Sequence, residues 1–220
     1  QRPVSFSVPT GNFGDIFAGY LAKRMGLEID QLIIATNAND ILHRCISHND
    51  HSLQVLVQSL SPSMDIMVSS NFERMLFDLY DRNGKALNDL MAIFKKTGKL
   101  ILSDHALKKA RKLFSSYRLD DQTMMQVMSH IWESTGYYLD PHTAIGVEAS
   151  RKTPQRQDIP MVCLSTAHPA KFPESARKAG FPNDPELPSY MADLFEREER
   201  YSMQPNNIDE VQKFIADNIR

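Results

Sequence analysis

The sequence predicts an α/β fold, because strand and helix patterns alternate along the chain. Residues 4–8 alternate apolar and polar side chains and stop at Pro9, which is typical of a strand. A helical pattern begins at Asp15 and ends at Gly26, and the continuous apolar run at residues 32–35 is typical of a buried parallel strand. This strand–turn–helix–strand unit predicts a right-handed crossover.

The middle of the chain, from about residue 66 to residue 135, is predicted to be mainly helical. Ser70 lies three residues before Glu73, which is the spacing of a capping box at a helix start. Apolar residues with helical spacing then predict three further helices, at residues 87–94, 104–114 and 122–132. We expect this stretch to be an insertion beside the sheet.

Strand and helix patterns alternate again near the C-terminus. Pro141 predicts the start of a helix that runs to about residue 149, a position where proline is tolerated. Residues 161–164 predict a buried strand, and an amphipathic helix that includes Ile208 and Ile215 is predicted at the end.

The composition narrows the class of protein. The chain has 220 residues, of which 42% are hydrophobic and 24% charged, and its formal net charge is −2. These values favour a globular protein and give no overall field for nucleic acid or an anionic membrane. No apolar run approaches the ~20 residues that span a bilayer. Cys45 and Cys163 lie far apart and suggest reduced thiols, so we expect a cytoplasmic protein.

The most informative segment is residues 10–15, between the first strand and the first helix. Gly11 and Gly14 flank two residues, which lets the backbone turn tightly and approach a ligand closely. The helix that follows presents free N–H groups and the positive end of its dipole, so the segment is a candidate phosphate site. It has neither the GxGxxG pattern nor the Lys-Ser/Thr ending of a P-loop. The alternative is an ordinary strand–helix turn that needs glycine for its shape.

Two other residue clusters have simpler explanations. His43, Cys45, His48 and His51 contain metal-ligating types, but their spacing matches no closed structural zinc site, and Cys45 also fits a buried helix position. We therefore predict no metal site. The basic run at residues 108–112 has no interleaved aromatic residues and is expected to be a solvated helix face.

Six sequence blocks, in the order of the family, resemble threonine synthase. They are VPTGNFGD at residues 8–15, ATNAND at 35–40, SPSMDI at 61–66, SSNFER at 69–74, DPHTA at 140–144 and STAHPAKF at 165–172. Together they cover roughly residues 4–180. The resemblance implies a fold type II pyridoxal-phosphate (PLP) enzyme, with a mixed sheet flanked by helices. It also implies conversion of O-phosphohomoserine and water into threonine and phosphate, the last step of threonine biosynthesis.

The resemblance also implies roles for particular residues. The family's loop that holds the cofactor phosphate corresponds to Gly11, Asn12, Phe13, Gly14 and Asp15. The threonine that contacts the cofactor's pyridine end corresponds to Thr166. His142 either faces the cofactor or stabilises a helix start, and the sequence leaves open whether Ser61 and Asp65 line the substrate phosphate site.

The Schiff-base lysine of the family lies in a Phe-Lys-Asp segment well before the glycine loop. Only ten residues precede Gly11 here, and none of them is lysine. Lys171 belongs to a different block and is not that lysine. We therefore expect upstream sequence to be missing, no catalytic residue in this chain, and no activity of this chain on its own.

These expectations divide the chain into three parts. Residues 1–65 form the cofactor-phosphate-binding part of the large domain, residues 66–135 the helical insertion, and residues 136–220 the return to the large domain with a helical tail. Two alternatives remain: a related phospho-lyase that gives a keto acid, and a non-catalytic domain that binds a phosphorylated ligand. The sequence leaves the oligomeric state open.

Overall fold

A computed structural model describes residues 2–219. The strands are β1 (Val4–Pro9), β2 (Ile29–Thr36), β3 (His51–Ser52), β4 (Lys99–Leu100), β5 (Phe114–Arg118) and β6 (Met161–Cys163). The helices are α1 (Gly14–Arg24), α2 (Ile41–His48), α3 (Phe72–Leu79), α4 (Gly84–Thr97), α5 (Asp104–Arg111), α6 (Asp121–Thr135), α7 (Pro141–Lys152), α8 (Pro173–Lys178) and α9 (Ile208–Asn218).

The central sheet has the strand order β5-β2-β1-β6, and every neighbouring pair is parallel. The predicted α/β class is confirmed. The resemblance implied a mixed sheet, but the four strands that the described residues contribute are all parallel. The antiparallel pair β3–β4 forms a separate small sheet. Because β1 and β2 are parallel, their carboxyl ends meet at one edge, and the glycine loop follows β1 at that edge.

Strand β2 has helices on both of its faces. Leu32 and Ile34 belong to one hydrophobic cluster, which includes residues of α1, α2, α3 and α5. Ile33 and Ala35 point the other way, into a cluster with residues of α6, α7 and α8. All four side chains are fully buried. The run at residues 32–35 is therefore continuously apolar because each face of the sheet is covered.

Helix α7 lies unusually close to β1. A Cβ atom on Gly146 would lie 3.2 Å from the Cδ and Cγ atoms of Pro9. The Ser7 hydroxyl donates a hydrogen bond of 2.6 Å to the carbonyl of Gly146. The small residue and this bond together hold the middle of α7 close against β1, the strand that leads into the candidate site.

The middle of the chain differs from the sequence prediction in two places. The helix predicted at residues 104–114 ends at Arg111, and β5 begins at Phe114 and pairs with β2. The stretch from residue 66 to 135 therefore supplies an edge strand of the central sheet as well as helices. The predicted capping box is wrong, because α3 begins at Phe72 with Asn71 at its N-cap position and no side-chain cap bond. The three-part division of the chain stays a prediction.

The elements predicted near the C-terminus are present. Helix α7 begins at Pro141, and β6 covers Met161–Cys163. The expectation that this strand is buried was wrong, because β6 is an edge strand and Val162 is 40% exposed. A separate unit begins at Glu186 and contains α9, whose start is capped by the Asn207 side chain. Within the described residues, no helix has the length and apolar character needed to cross a membrane.

His51 is a buried titratable residue with unusual surroundings. Its ring lies between those of Phe72 and Phe94, at centroid distances of 5.3 and 5.1 Å. Neither ring nitrogen has a hydrogen-bond partner among residues 2–219. Burial, followed by repulsion from Arg44, lowers the pKa of His51 to about 4. The folded protein therefore holds this ring neutral at pH values at which an exposed histidine is charged.

We predict that this histidine makes the protein acid-sensitive. The unfolded chain takes up the His51 proton near pH 6.5, whereas the folded chain does so only near pH 4. His51 therefore leaves the free energy of unfolding unreduced well above pH 6.5. Its titration lowers that free energy by about 2 kcal/mol at pH 5 and about 3 kcal/mol at pH 4. Urea denaturation of wild type and His51→Leu at pH 7.5 and 5 measures this loss.

The His51→Leu variant should lose about 2 kcal/mol less than wild type between these two pH values. His130, which is exposed on α6, provides the control. The His130→Gln variant should show the wild-type dependence on pH. An equal loss in wild type and His51→Leu would contradict the assignment.

Candidate phosphate-binding site

The glycine loop leaves the end of β1 and turns sharply into α1. Thr10 N–H continues the sheet by donating to the carbonyl of Ala35 at 2.8 Å. Phe13, at the N-cap position of α1, has a φ of 68°, in the left-handed region that non-glycine residues rarely adopt. Its ring is buried and lies 5.1 Å from the ring of Phe72 and 5.7 Å from that of Phe114. Burial of this ring offsets the cost of the backbone conformation, which is about 1–3 kcal/mol.

The carbonyl groups of the loop are bonded to other parts of the chain. The Ser69 hydroxyl donates to the carbonyl of Gly11 at 2.7 Å, and Asn71 donates to the carbonyl of Asn12 from its backbone N–H (3.0 Å) and its amide group (3.1 Å). The backbone N–H groups of the loop, unlike its carbonyl groups, are mostly unpaired in the described structure. Within the described residues, no protein acceptor is present for the backbone N–H groups of Gly11, Asn12, Phe13, Asp15 and Ile16. Unpaired amides at the positive end of a helix form an anion-binding site.

Gly11 is packed directly against the chain segment at residues 62–64. A Cβ atom at this position would lie 2.9 Å from the Ser63 carbonyl oxygen and 3.3 Å from the Cα of Met64. No ordinary side chain fits there without a shift of backbone. The glycine is therefore needed for close contact within the protein as well as for access by a ligand.

A buried polar network holds the segment that contacts Gly11. The Asn37 side-chain amide donates to Asp65 Oδ1 at 2.8 Å and to Ser61 Oγ at 3.0 Å. The Asn39 amide donates to the same Asp65 oxygen at 2.8 Å. The sequence left open whether Ser61 and Asp65 line a substrate phosphate site. Both side chains are used in this supporting network, and neither lines the cavity described below.

His142 connects α7 to the same segment. Its Nε2 accepts the backbone N–H of Ser63 at 3.2 Å, so its Nδ1 carries the proton and donates to Asp140 Oδ1 at 2.9 Å. Asp140 in turn caps α7 by accepting the N–H groups of His142 and Thr143. His142 also lines the cavity. His142 thus lies both in the first turn of α7 and on the cavity wall, and its facing the cofactor stays a prediction.

These elements enclose a cavity of about 180 Å³ beside the glycine loop. The cavity is lined by Gly11, Asn12, Phe13, Gly14 and Asp15, and from a distant part of the chain by Thr166. The structure therefore brings together all six residues that the resemblance singled out. Ser63, His142 and Lys171 also line the cavity, and Lys171 was missed as a site residue. The signal that could have found it is its place in the same sequence block as Thr166.

The cluster of His43, Cys45, His48 and His51 and the basic run at residues 108–112 do not line this cavity. Cys45 is fully buried, and burial raises the pKa of its thiol to about 12, which disfavours the thiolate that metals bind. In the part of the chain that the structure describes, no group of three His, Cys, Asp or Glu side chains is placed to hold a metal. The basic run is only partly solvated, because Lys109 pairs with Asp81 at 2.7 Å and Arg111 donates to the carbonyls of Ile46 and Ser47.

The sequence is similar to threonine synthases. A family model described as "Threonine synthase, C-terminal" matches residues 143–215. The threonine synthase of Pseudomonas aeruginosa is 56% identical over 216 residues, which cover 98% of this chain and 46% of that protein. That of Corynebacterium glutamicum is 38% identical over 225 residues, covering 100% and 47%. "Threonine synthase-like 2" from Homo sapiens is 35% identical over 203 residues, covering 91% and 41%. The chain thus spans about half the length of the curated relatives it matches.

Solved structures give the same result. The crystal structure of PLP-bound threonine synthase from Brucella melitensis superposes with a TM-score of 0.89 at 45% identity, covering 97% of this chain and 46% of that one. Yeast threonine synthase superposes with a TM-score of 0.85 at 36% identity, covering 97% and 47%. The predicted fold type II architecture is confirmed by these neighbours. The chain belongs to the threonine synthase family.

Proposed function

We propose that the protein carrying this chain is a PLP-dependent threonine synthase. It converts O-phosphohomoserine and water into L-threonine and phosphate. The observation that carries this proposal is the cavity that joins the unpaired amides of the glycine loop to Thr166. The PLP-bound relative from Brucella melitensis supports the choice of cofactor. A cytoplasmic location is part of the proposal and follows from the biosynthetic role.

The residues around the cavity fit the two ends of PLP. The amides of Gly11, Asn12 and Phe13 offer donors for a phosphate group, and the N-terminus of α1 adds positive potential. Thr166 offers a hydroxyl that has no hydrogen-bond partner among the described residues. A hydroxyl can bond a pyridine nitrogen without adding charge. The chemistry that the bound cofactor supplies is an electron sink for carbanions next to the substrate nitrogen.

The chain's own residues then position the reacting groups. The glycine loop binds the phosphate end of the cofactor. The Asp140–His142–Ser63 contacts hold in place the segment at residues 62–64, which packs against that loop. A neutral Thr166 at the ring nitrogen restrains full protonation of the ring, which favours elimination and replacement over transamination.

The covalent attachment of the cofactor lies elsewhere in this proposal. No lysine of this chain occupies a Phe-Lys-Asp segment. The chain spans 46% of its Pseudomonas aeruginosa relative. We therefore place the Schiff-base lysine in the part of the protein that corresponds to the remaining length. On this proposal the present residues bind and orient the cofactor through hydrogen bonds but form no covalent bond to it.

A second candidate is a phospho-lyase that releases phosphate and leaves a keto acid. This chain is also 35% identical to "Threonine synthase-like 2" from Homo sapiens, a relative whose name differs from that of the synthases. The two candidates share the fold, the cofactor and the release of phosphate. They differ in whether water is added at the β-carbon, so the organic product separates them.

The product assay tests the proposal directly. The full-length protein is incubated with PLP and O-phosphohomoserine, and phosphate and threonine are both measured. We expect equal amounts of the two products. Phosphate with a keto acid instead of threonine would establish the phospho-lyase. If neither phosphate nor threonine is formed, a non-catalytic domain that binds a phosphorylated ligand is favoured.

A glycine substitution tests the loop. Gly11→Ala places a Cβ 2.9 Å from the Ser63 carbonyl oxygen, so the loop must shift and its amides lose their alignment. We expect PLP affinity to fall about tenfold or more in equilibrium dialysis, from a strain of about 1–3 kcal/mol. Gly84→Ala is the matched control, because a Cβ there meets nothing within 4 Å. Unchanged affinity in Gly11→Ala would contradict the assignment of the loop.

A hydroxyl substitution tests Thr166. Thr166→Val keeps the shape and removes the hydrogen bond to the cofactor ring, so we expect kcat to fall about tenfold. Thr166→Ser keeps the hydroxyl and should retain kcat within a few-fold. The absorption spectrum of the bound cofactor provides a second measurement, since it changes with the environment of the ring nitrogen. Equal behaviour of the Val and Ser variants in both measurements would count against this role.

A further inference from the structure

Lys171 is a cation on the wall of the cavity that the family resemblance does not explain. It ends a short 3₁₀ turn, Pro169–Lys171, which starts from His168. The Nδ1 atom of His168 accepts the N–H of Ala170 at 3.2 Å, and the carbonyl of His168 accepts the N–H of Lys171 at 3.1 Å. The backbone of Lys171 is therefore fixed relative to that of His168.

The residue after Lys171 connects this turn to the glycine loop. The ring of Phe172 packs on the ring of His142 at a centroid distance of 4.6 Å. His142 bonds the N–H of Ser63, and the carbonyl of Ser63 is the group that excludes a side chain at Gly11. The Lys171 turn and the glycine loop are thus supported by the same residues.

The Lys171 ammonium group has no anionic partner within the described residues. It makes neither a hydrogen bond nor an ion pair there. Its Nζ lies 5.7 Å from the centroid of the Phe172 ring. Among the described residues that line the cavity, it is the single lysine or arginine. By contrast, Lys178 on α8 is paired, because its Nζ lies 2.7 Å from Glu174 Oε1.

The charges around the cavity favour a cation beside a bound phosphate. A phosphate monoester carries a charge of about −2 near neutral pH. The helix N-terminus supplies roughly half a positive charge, and the Asp15 carboxylate on the same wall adds a negative one. A lysine acts as a point charge toward phosphate and needs no fixed geometry to do so.

We propose that Lys171 binds a phosphate group in this cavity by charge-assisted hydrogen bonding. This makes it a phosphate-binding residue, distinct from the lysine that bonds the cofactor covalently. The inference rests on the function proposed above for the source of the phosphate. Two sources carry the same chemistry: the phosphate of PLP and the phosphate that O-phosphohomoserine carries and releases.

The experiment uses full-length protein with two neutral variants, Lys171→Gln and Lys171→Met, and the charge-retaining Lys171→Arg. Lys178→Gln is the matched control, because it removes an exposed lysine outside the cavity. Circular dichroism checks folding. Lys171 is exposed, so its replacement leaves no buried group without a partner. Lys171→Met also keeps the apolar stem beside Phe172 and must agree with Lys171→Gln.

The first measurement compares the dissociation constants of PLP and pyridoxal, which lacks the phosphate. Both compounds share every other contact, so their ratio isolates phosphate binding. If Lys171 binds the cofactor phosphate, the neutral variants lose about 10- to 100-fold in PLP affinity and keep that of pyridoxal. Lys171→Arg should stay within a few-fold of wild type.

The second measurement is the binding of inorganic phosphate to protein saturated with PLP. If Lys171 binds the substrate's phosphate, the neutral variants lose about 10- to 100-fold here, and the PLP-to-pyridoxal ratio stays unchanged. The inference is overturned if neither quantity changes, or if Lys178→Gln changes them equally. Both measurements need no turnover. Absence of threonine production would therefore refute the proposed function without deciding the role of Lys171.

Discussion

The close contact between Gly11 and the Ser63 carbonyl sets the geometry on which the site depends. A Cβ atom on Gly11 would lie 2.9 Å from the Ser63 carbonyl oxygen, so there is no room for a side chain and the loop lies against the neighbouring segment. In that position the carbonyls of Gly11 and Asn12 point toward Ser69 and Asn71 and are bonded there. The amides of the same peptides are left without protein partners. One packing constraint thus determines which face of the loop carries positive potential.

Two separate supports converge on the segment that Gly11 contacts. From the end of β2, Asn37 bonds Asp65 and Ser61; from the start of α7, His142 bonds the Ser63 backbone. Buried polar networks of this kind are rigid when each member has a partner, and costly when one member is lost. One support, the Asn37–Asp65–Ser61 network, lies outside the cavity lining, whereas the His142–Ser63 bond forms part of the cavity wall.

The sequence predicted the parts of this arrangement that depend on local pattern. The strand, loop and helix around residues 4–24 follow from periodicity and glycine placement, and Thr166 follows from its motif. β5 was missed because Phe114–Arg118 is short and mostly polar, and it becomes a strand only by pairing with β2. The strained residue of the loop is Phe13 and neither glycine, because two distant rings, Phe72 and Phe114, hold it. Contacts between distant segments also brought Lys171 to the cavity, and its sequence signal was only its place in the block that contains Thr166.

The charged and neutral groups of the cavity favour one orientation of a bound ligand. The unpaired amides and the N-terminus of α1 supply positive potential at the loop, the Lys171 ammonium adds a positive charge to the cavity wall, and Thr166 offers a neutral hydroxyl. A ligand with a doubly charged phosphate at one end and a weakly basic ring nitrogen at the other is favoured in one orientation, because reversal would leave the phosphate beside a neutral group. On the proposed function, this asymmetry orients the cofactor ring before any covalent bond to it forms. On the same proposal, the residues of this chain bind and orient the cofactor, and a lysine elsewhere in the protein bonds it covalently.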